Sequence, residues 1–417
     1  MKFEQYRIDE GIKRSIARLG YKRPTDIQYK SLPPIMRGED VLAIAQTGTG
    51  KTAAFAIPIL HLLNERKIKG RADGVKCLVL APTHELALQI EEVFKDLGKN
   101  TRVKTYCIHG GVDQEPQKEQ LNNGVDVLVA TPGRMFDLVS QGALDLKRVE
   151  ILVLDEADHM LDLGFIKDIR DLQRHLPKKR QTLFFSATIN DKIKKIAYSL
   201  VRNAIRIQIS PKDPVAKNIS HSVAFVEMDD KRFFLEYLIR DNFDKKILVF
   251  VRTKVRAERV KKAMARVGIT ADAIHGDKLQ EERESIMGSF RSGSLKVLIA
   301  TDVSARGIDI PNVEYVVNYD LPESPEHYVH RVGRTGRGSM KGQAISFCSS
   351  EEKEQLKEIE DDLGKPINRL EISKRDYALT IKMTEDIDND WKQVMEEMKL
   401  EDIEYKKKKK KKKRGNK

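Results

Sequence analysis

Apolar runs of about four to six residues recur along most of the chain, separated by stretches whose apolar positions fall at helical spacing. In the first half, runs at 41–44, 77–81, 105–109, 125–130, 150–154 and 182–186 have strand length and composition. A second set falls at 219–226, 246–251, 271–275, 296–300, 313–319 and 342–348. Strands alternating with helices predict an α/β protein whose parallel sheets are covered by helices on both faces. Between the sets, Ser210-Pro211-Lys212-Asp213-Pro214 places two prolines within four residues, which argues against a regular element there. At 417 residues the chain exceeds what one core usually serves. The expected organisation is one domain over 1–208, a linker over 209–217, a second domain over 218–365 and an extension over 366–417.

The extension has a different pattern. Ile387, Trp391, Val394, Met395 and Met398 recur at helical spacing and form one apolar stripe, either docked on the protein's own surface or presented to a partner. From Glu385 to Glu404 nine acids face only Lys392 and Lys399. Then Lys406 to Lys413 are eight consecutive lysines, followed by Arg414 and Lys417. Those last ten cations supply most of the formal net charge of +13. Such a run is either a solvated end or an arm for nucleic acid.

Three separated segments carry candidate chemistry. Ala45-Gln46-Thr47-Gly48-Thr49-Gly50-Lys51-Thr52 fits the phosphate-loop pattern, with Ala45 where its first glycine would stand. Gly48 and Gly50 let backbone N–H groups of the loop approach phosphate oxygens. Lys51 can place its ammonium between the β- and γ-phosphates, and Thr52 can offer a hydroxyl to Mg²⁺. The flanking run 41–44 and the helical pattern from Ala53 put this loop between a strand and a helix N-terminus. The bland alternative is an ordinary glycine turn. Asp155-Glu156 follows the run 151–154, so both acids fall at a strand's C-terminal end, where α/β sheets bind ligands. There Asp155 is suited to hold Mg²⁺ and Glu156 to orient and deprotonate a water; otherwise the pair is a solvated helix start. His330-Arg331-Val332-Gly333-Arg334-Thr335-Gly336-Arg337 supplies arginines, either for transferring phosphate charge or as a nucleic-acid patch. The second half has no Gly-Lys-Thr after any of its runs, so one nucleotide site is expected.

Asp155-Glu156-Ala157-Asp158 is the signature that names the DEAD-box RNA helicases, and the chain resembles that family over about residues 1 to 365. Gly20 to Gln28 resembles the adenine-reading Q motif, with Phe3 as its upstream aromatic, Tyr21 packing on the base and Gln28 bonding its edge. Gln46 to Thr52 is then the ATP cradle and Asp309 the ribose contact. Arg334 and Arg337 are implied as fingers on the γ-phosphate. His330 and Arg331 are expected to bind Asp155–Asp158 and Ser186-Ala187-Thr188, the motif that couples nucleotide state to strand separation. RNA contacts are implied for Pro82, Thr83, Gly110, Gly111, Thr131 and Arg134 in the first half. In the second half they fall on Arg252, Thr253, Gly276, Thr301 and Asp302. The family has arginine where His84 stands, and a neutral imidazole does not replace that charge. Gly110-Gly111-Val112 with Pro116-Gln117, Phe250 to Thr253, and Leu161 to Phe165 resemble the bacterial RhlE-type branch. The resemblance implies two RecA-like domains with ATP, Mg²⁺ and RNA in the cleft between them. It further implies RNA-stimulated ATP hydrolysis that separates short duplexes and remodels ribonucleoprotein. An ATP-gated RNA clamp with slow turnover keeps the same residues, and a DNA-directed motor is the remaining alternative.

Composition adds exclusions. The apolar runs are too short to span a membrane, and the basic start is not followed by an apolar stretch. Cys77, Cys107 and Cys348 are too few and scattered for a metal site or disulfide framework. A cytoplasmic protein with RNA as partner is expected, in reach of ribosomal precursors or the RNA-degradation machinery.

Overall fold

The structure is a computed structural model that describes residues 2–46, 48–67, 74–189, 191–209, 215, 218–302, 313–336 and 340–385, with backbone only at 192 and 383–385. Thr47, Asp309, Arg337, most of 209–217, the Trp391 stripe and the lysine run lie outside the described residues.

The first sheet comprises β1 (Val41–Ala45), β2 (Cys77–Leu80), β3 (Thr105–Ile108), β4 (Val127–Ala130), β5 (Ile151–Leu154), β6 (Gln181–Ser186) and β7 (Ile205–Ile209). The second comprises β8 (Ile219–Phe225), β9 (Ile247–Phe250), β10 (Ala271–Ile274), β11 (Val297–Ala300), β12 (Tyr315–Asn318), β13 (Gly342–Cys348) and β14 (Asn368–Leu370). Their spatial orders are β3-β4-β2-β5-β6-β1-β7 and β10-β11-β9-β12-β13-β8-β14. Every pairing is parallel. Strand for strand, the second sheet repeats the first.

Because successive residues of a strand face opposite sides, the continuous apolar runs feed two cores. Val41, Ala43 and Ala45 enter one core with Phe55 and Phe94, while Leu42 enters the other with Leu152 and Phe184. The second sheet divides likewise, with Leu248 and Phe250 on one face and Ile247, Val249 and Val251 on the other. All strand C-termini of a sheet thus lie along one edge, which is where its loops can hold a ligand.

Two strands were not foreseen. β7 is an edge strand reading Ile-Arg-Ile-Gln-Ile, with a single buried position, so it alternates instead of running apolar. β14 is a three-residue exposed strand, Asn-Arg-Leu, that pairs with β8. It overturns the boundary at 365, since the second unit continues through β14 into the Lys374–Glu385 helix. There Tyr377 packs tilted against Phe234, with 4.9 Å between ring centroids.

Candidate active site

Three strands of the first sheet end at one place: β1 in the 46–50 loop, β5 in Asp155 and β6 in Ser186-Ala187-Thr188. Gly48 and Gly50 have φ of 80° and 88°. A Cβ on Gly50 would also lie 2.5 Å from Gln28 Nε2, so the loop closes over Gln28 only because residue 50 is glycine. Gln28 Nε2 donates to the Gly50 carbonyl at 3.1 Å, and its Oε1 accepts from Thr25 N at 3.0 Å. The carboxamide retains one N–H and one lone pair for an adenine edge. Tyr21 is exposed beside this segment. Phe3, expected at the base, opens a short 3-10 turn and is instead 2 % exposed and packed in the first core.

Lys51 opens the Lys51–Arg66 helix; it is 6 % exposed, and its Nζ has no hydrogen-bond partner. Asp155 and Glu156 are buried beside it. Burial raises the Asp155 pKa to about 6, against the pull of Lys51 and with the push of Glu156. Burial works on Glu156 in the same direction. His159, whose Nδ1 is 3.6 Å from Glu156 Oε2, and the charges of Lys51 and Arg334 outweigh it and hold that carboxyl well below the usual range. Glu156 adopts φ 50°, a left-handed conformation that is costly for a residue with a side chain and concentrates at functional sites.

The buried Asp155 carboxylate and the Thr52 hydroxyl are hard oxygen donors of the kind Mg²⁺ takes, while the Lys51 ammonium, a cation itself, is left for phosphate oxygens. Among the described residues no cluster of three His, Cys, Asp or Glu makes an all-protein metal cage.

Asp158 Oδ2 accepts from Ala187 N and Thr188 N at 3.1 Å and from Thr188 Oγ1 at 3.2 Å, so the DEAD acids and the expected coupling motif are joined directly. Ser186 is fully buried behind them.

The second unit reaches this cluster through Arg334, which is 4 % exposed and whose charge acts on Glu156. Arg334 Nε donates to the His330 carbonyl at 3.2 Å, which fixes the side chain's approach. Arg331 does not cross the cleft as expected. It is buried in its own unit, donating to Asp302 Oδ1 and Oδ2 at 2.5 and 2.7 Å and to the Asp320 carbonyl at 2.7 Å. Its guanidinium also lies 5.1 Å from the Phe250 ring centroid. Asp302 is thereby corrected as well: its carboxylate neutralises Arg331 and would repel a phosphate.

Besides Arg334, three residues of the second unit that carry no motif signal, Gln280, Arg283 and His327, make crossing contacts. Arg283 Nη2 meets Glu85 Oε1 at 2.5 Å, and Gln280 Oε1 lies 3.4 Å from His84 Nδ1. His327 Nε2 lies 3.5 Å from Asp162 Oδ2, and Glu326 has its pKa raised by burial and by the Asp158 charge across the cleft. Burial, then His109, hold His84 below the usual imidazole range. Position 84 was marked by its motif, but nothing in a single sequence pairs it with 280, so the partners in the second unit could not have been read from it.

The expected RNA residues fall on the other half of each sheet's edge. Pro82 and Thr83 follow β2, Gly110 and Gly111 follow β3, and Thr131 and Arg134 follow β4. Arg252 and Thr253 follow β9, Gly276 follows β10, and Thr301 follows β11. Thr83 and Thr253 take equivalent places, each capping the next helix by accepting from Leu86 N at 3.3 Å or Arg256 N at 3.2 Å. Arg134 Nη2 donates to the Val112 carbonyl at 2.7 Å. Arg252 Nη2 is held by Glu352 Oε1 at 3.3 Å and Gln355 Oε1 at 3.2 Å.

Residues 25–196 match the family described as DEAD/DEAH box helicase, and residues 230–339 match the helicase conserved C-terminal domain. The chain is 40% identical over 377 residues to the ATP-dependent RNA helicase CshA of Listeria monocytogenes, covering 90% of this chain and 72% of that protein. It is 38% identical over 369 residues to the ATP-dependent RNA helicase DbpA of Bacillus subtilis, covering 88% and 76%. The solved S. cerevisiae Dbp5 bound to RNA and ADP BeF3 superposes with a TM-score of 0.80 at 32% identity, over 93% of this chain and 99% of that one.

Proposed function

The chain belongs to the DEAD-box RNA helicase family, an ATP-dependent RNA helicase of two RecA-like units, and on that premise we propose how its residues divide the reaction. The observation that carries the proposal is the buried, unpartnered Lys51 ammonium beside Asp155 and Glu156, in a cluster that Arg334 reaches from the other unit. Backbone N–H groups of the 46–50 loop and Lys51 take the β- and γ-phosphates. Gln28 reads adenine with its remaining N–H and lone pair, and Tyr21 packs on the base. Glu156, held ionised, accepts a proton from the water whose oxygen attacks the γ-phosphorus as the bond to the β-phosphate oxygen breaks. Arg334, with Arg337 beside it in sequence, neutralises charge on the transferring group. Thr52 and Asp155 would hold Mg²⁺, which supplies Lewis-acid stabilisation of phosphate charge. Asp158 carries the state of this site to Ser186-Ala187-Thr188.

The hydroxyls and amides after β2, β3, β4, β9, β10 and β11 offer backbone contacts to RNA, which position a strand without reading its sequence. Local separation of a short duplex then follows domain closure over one strand. A clamp with slow turnover would use the same contacts. Single-turnover ATP hydrolysis with and without RNA, run beside strand separation of a short duplex, distinguishes them: the helicase reading requires RNA to accelerate hydrolysis and turnover to accompany separation. RNA-independent or persistently slow hydrolysis favours the clamp.

Beyond this, we assign the protein to the cytoplasm, with ribosomal precursors or RNA-degradation assemblies as settings. Support for the RhlE-type branch comes from Gly110–Gly111–Val112 with Pro116-Gln117, Phe250 to Thr253 and Leu161 to Phe165 alone, while the relatives above carry the names CshA and DbpA.

A further inference from the structure

The helicase reaction leaves unused a groove on the second unit and the acidic apolar stripe beyond it. The groove, of about 450 Å³, lies at the C-terminal end of β8 and β13, between the Lys353–Leu363 helix and the Lys374–Glu385 helix. Phe225, Leu356 and Tyr377 supply its apolar wall, and Lys353, Lys357 and Arg369 its charge. Phe225 is an exposed aromatic at the end of β8, with the Arg369 guanidinium 5.5 Å from its ring centroid. Arg369 is neutralised by Glu360 at 2.7 Å, and Glu227 is engaged by Ser350 Oγ at 2.8 Å. Lys353 and Lys357 are both exposed one helical turn apart, and they are what the groove offers an acidic ligand.

We propose that residues 386–404 of the same chain dock in this groove, with Trp391 seated against Phe225 and Leu356 and the flanking acids facing Lys353 and Lys357. Three observations select that occupant. The segment begins where the Lys374–Glu385 helix ends, and Tyr377 of that helix already lines the groove, so little chain is needed to reach it. Its charge is opposite: nine acids against two lysines between 385 and 404. Its apolar positions Ile387, Trp391, Val394, Met395 and Met398 share one face when helical, which gives the segment a side to bury and an acidic side to present. Docking would also fix where the lysine run after Tyr405 leaves the protein. The proposal is independent of the assignment of the nucleotide site.

Trp391 is the single tryptophan of the chain, so its fluorescence reports the docking without a label. In the full-length protein the emission should be blue-shifted, and acrylamide quenching several-fold weaker than in the denatured chain. Charge reversal by K353E/K357E, on exposed positions, should move both readings most of the way to the denatured values while the two units keep their cooperative thermal unfolding. F225S should act in the same direction without altering charge. A tryptophan already exposed in the wild-type protein overturns the proposal, and so does one that remains shielded in K353E/K357E. Shielding that grows with protein concentration also overturns it, because it would mean capture by a second copy.

Discussion

Two lysines occupy equivalent places in the repeated sheets and meet opposite fates. Lys51 opens the helix after β1, and Lys231 opens the Lys231–Asp241 helix after β8, each six residues beyond its strand's last residue. Both side chains are buried. Lys51 Nζ has no hydrogen-bond partner, whereas Lys231 Nζ lies 2.5 Å from Glu352 Oε2 and 4.0 Å from Asp320 Oδ1. Glu352 also accepts from Leu321 N, Ser349 N and Arg252 Nη2. The second unit thus fills from within the charge site that the first leaves open. A shared strand order does not make two nucleotide sites; one does so only where burial leaves charge for the substrate to complete.

The contrast can be broken at the lysines themselves. Lys231→Met takes the fully buried cation from Glu352 and leaves it Arg252 and two backbone donors, so it should destabilise the second unit by up to about 3–5 kcal/mol, the range for breaking one partner of a buried pair. Lys51→Met removes a buried ammonium that has no hydrogen-bond partner and acts on Asp155 and Glu156 only through its charge, so it should cost less stability than Lys231→Met while abolishing tight ATP binding. Thermal unfolding and nucleotide titration of the two variants test this, and similar stability losses in both would erase the distinction.

Next in size is Glu156→Gln, which should keep ATP affinity and lower RNA-stimulated hydrolysis by at least ~10²-fold, the effect of a lost general base. Near-normal turnover would remove Glu156 from that role.

How much of this was legible follows the same physics. The phosphate loop, Asp155-Glu156 and the two-unit alternation were readable because glycine geometry, charge at a strand end and continuous apolar runs are local signals. β7 and β14 were missed because edge strands need no apolar run. Phe3 and Arg331 were misplaced because a motif identifies a side chain but not the direction in which it turns. Arg331 turns inward because Asp302 and the Asp320 carbonyl satisfy its donors there. The Lys231–Glu352 pair joins positions 121 apart in sequence and has no local signature.

Smaller effects sharpen the outer parts of the account. Truncation after Tyr405 should weaken binding to all RNA sequences alike. If about four lysines engage phosphates, the log–log salt slope should fall by roughly 3. Saturated hydrolysis should be unchanged, and an unchanged slope would mark the lysines as a solvated end.

The smallest effect concerns pH. His84 titrates below its ordinary value of 6.5 in the assembled cleft because it is buried, with His109 and Arg283 adding to the shift and Glu85 and Gln280 opposing it. With the pKa lower in the closed form, closure is fully supported above about 6.5 and weakens as pH falls below it. RNA-stimulated ATPase of the wild type should therefore fall with acidification more than that of His84→Gln. Superimposable profiles would show that His84 does not sense closure.

The central claim is that hydrolysis needs both units, joined through Arg334. The direct measurement is single-turnover ATP hydrolysis by Arg334→Ala at saturating RNA, with ATP and RNA affinities measured separately on the same protein. Both ligands should bind nearly as in the wild type, and the rate should fall by roughly 10³-fold or more, as for a lost arginine finger. Hydrolysis within a few-fold of wild type, or a loss confined to RNA affinity, would contradict it.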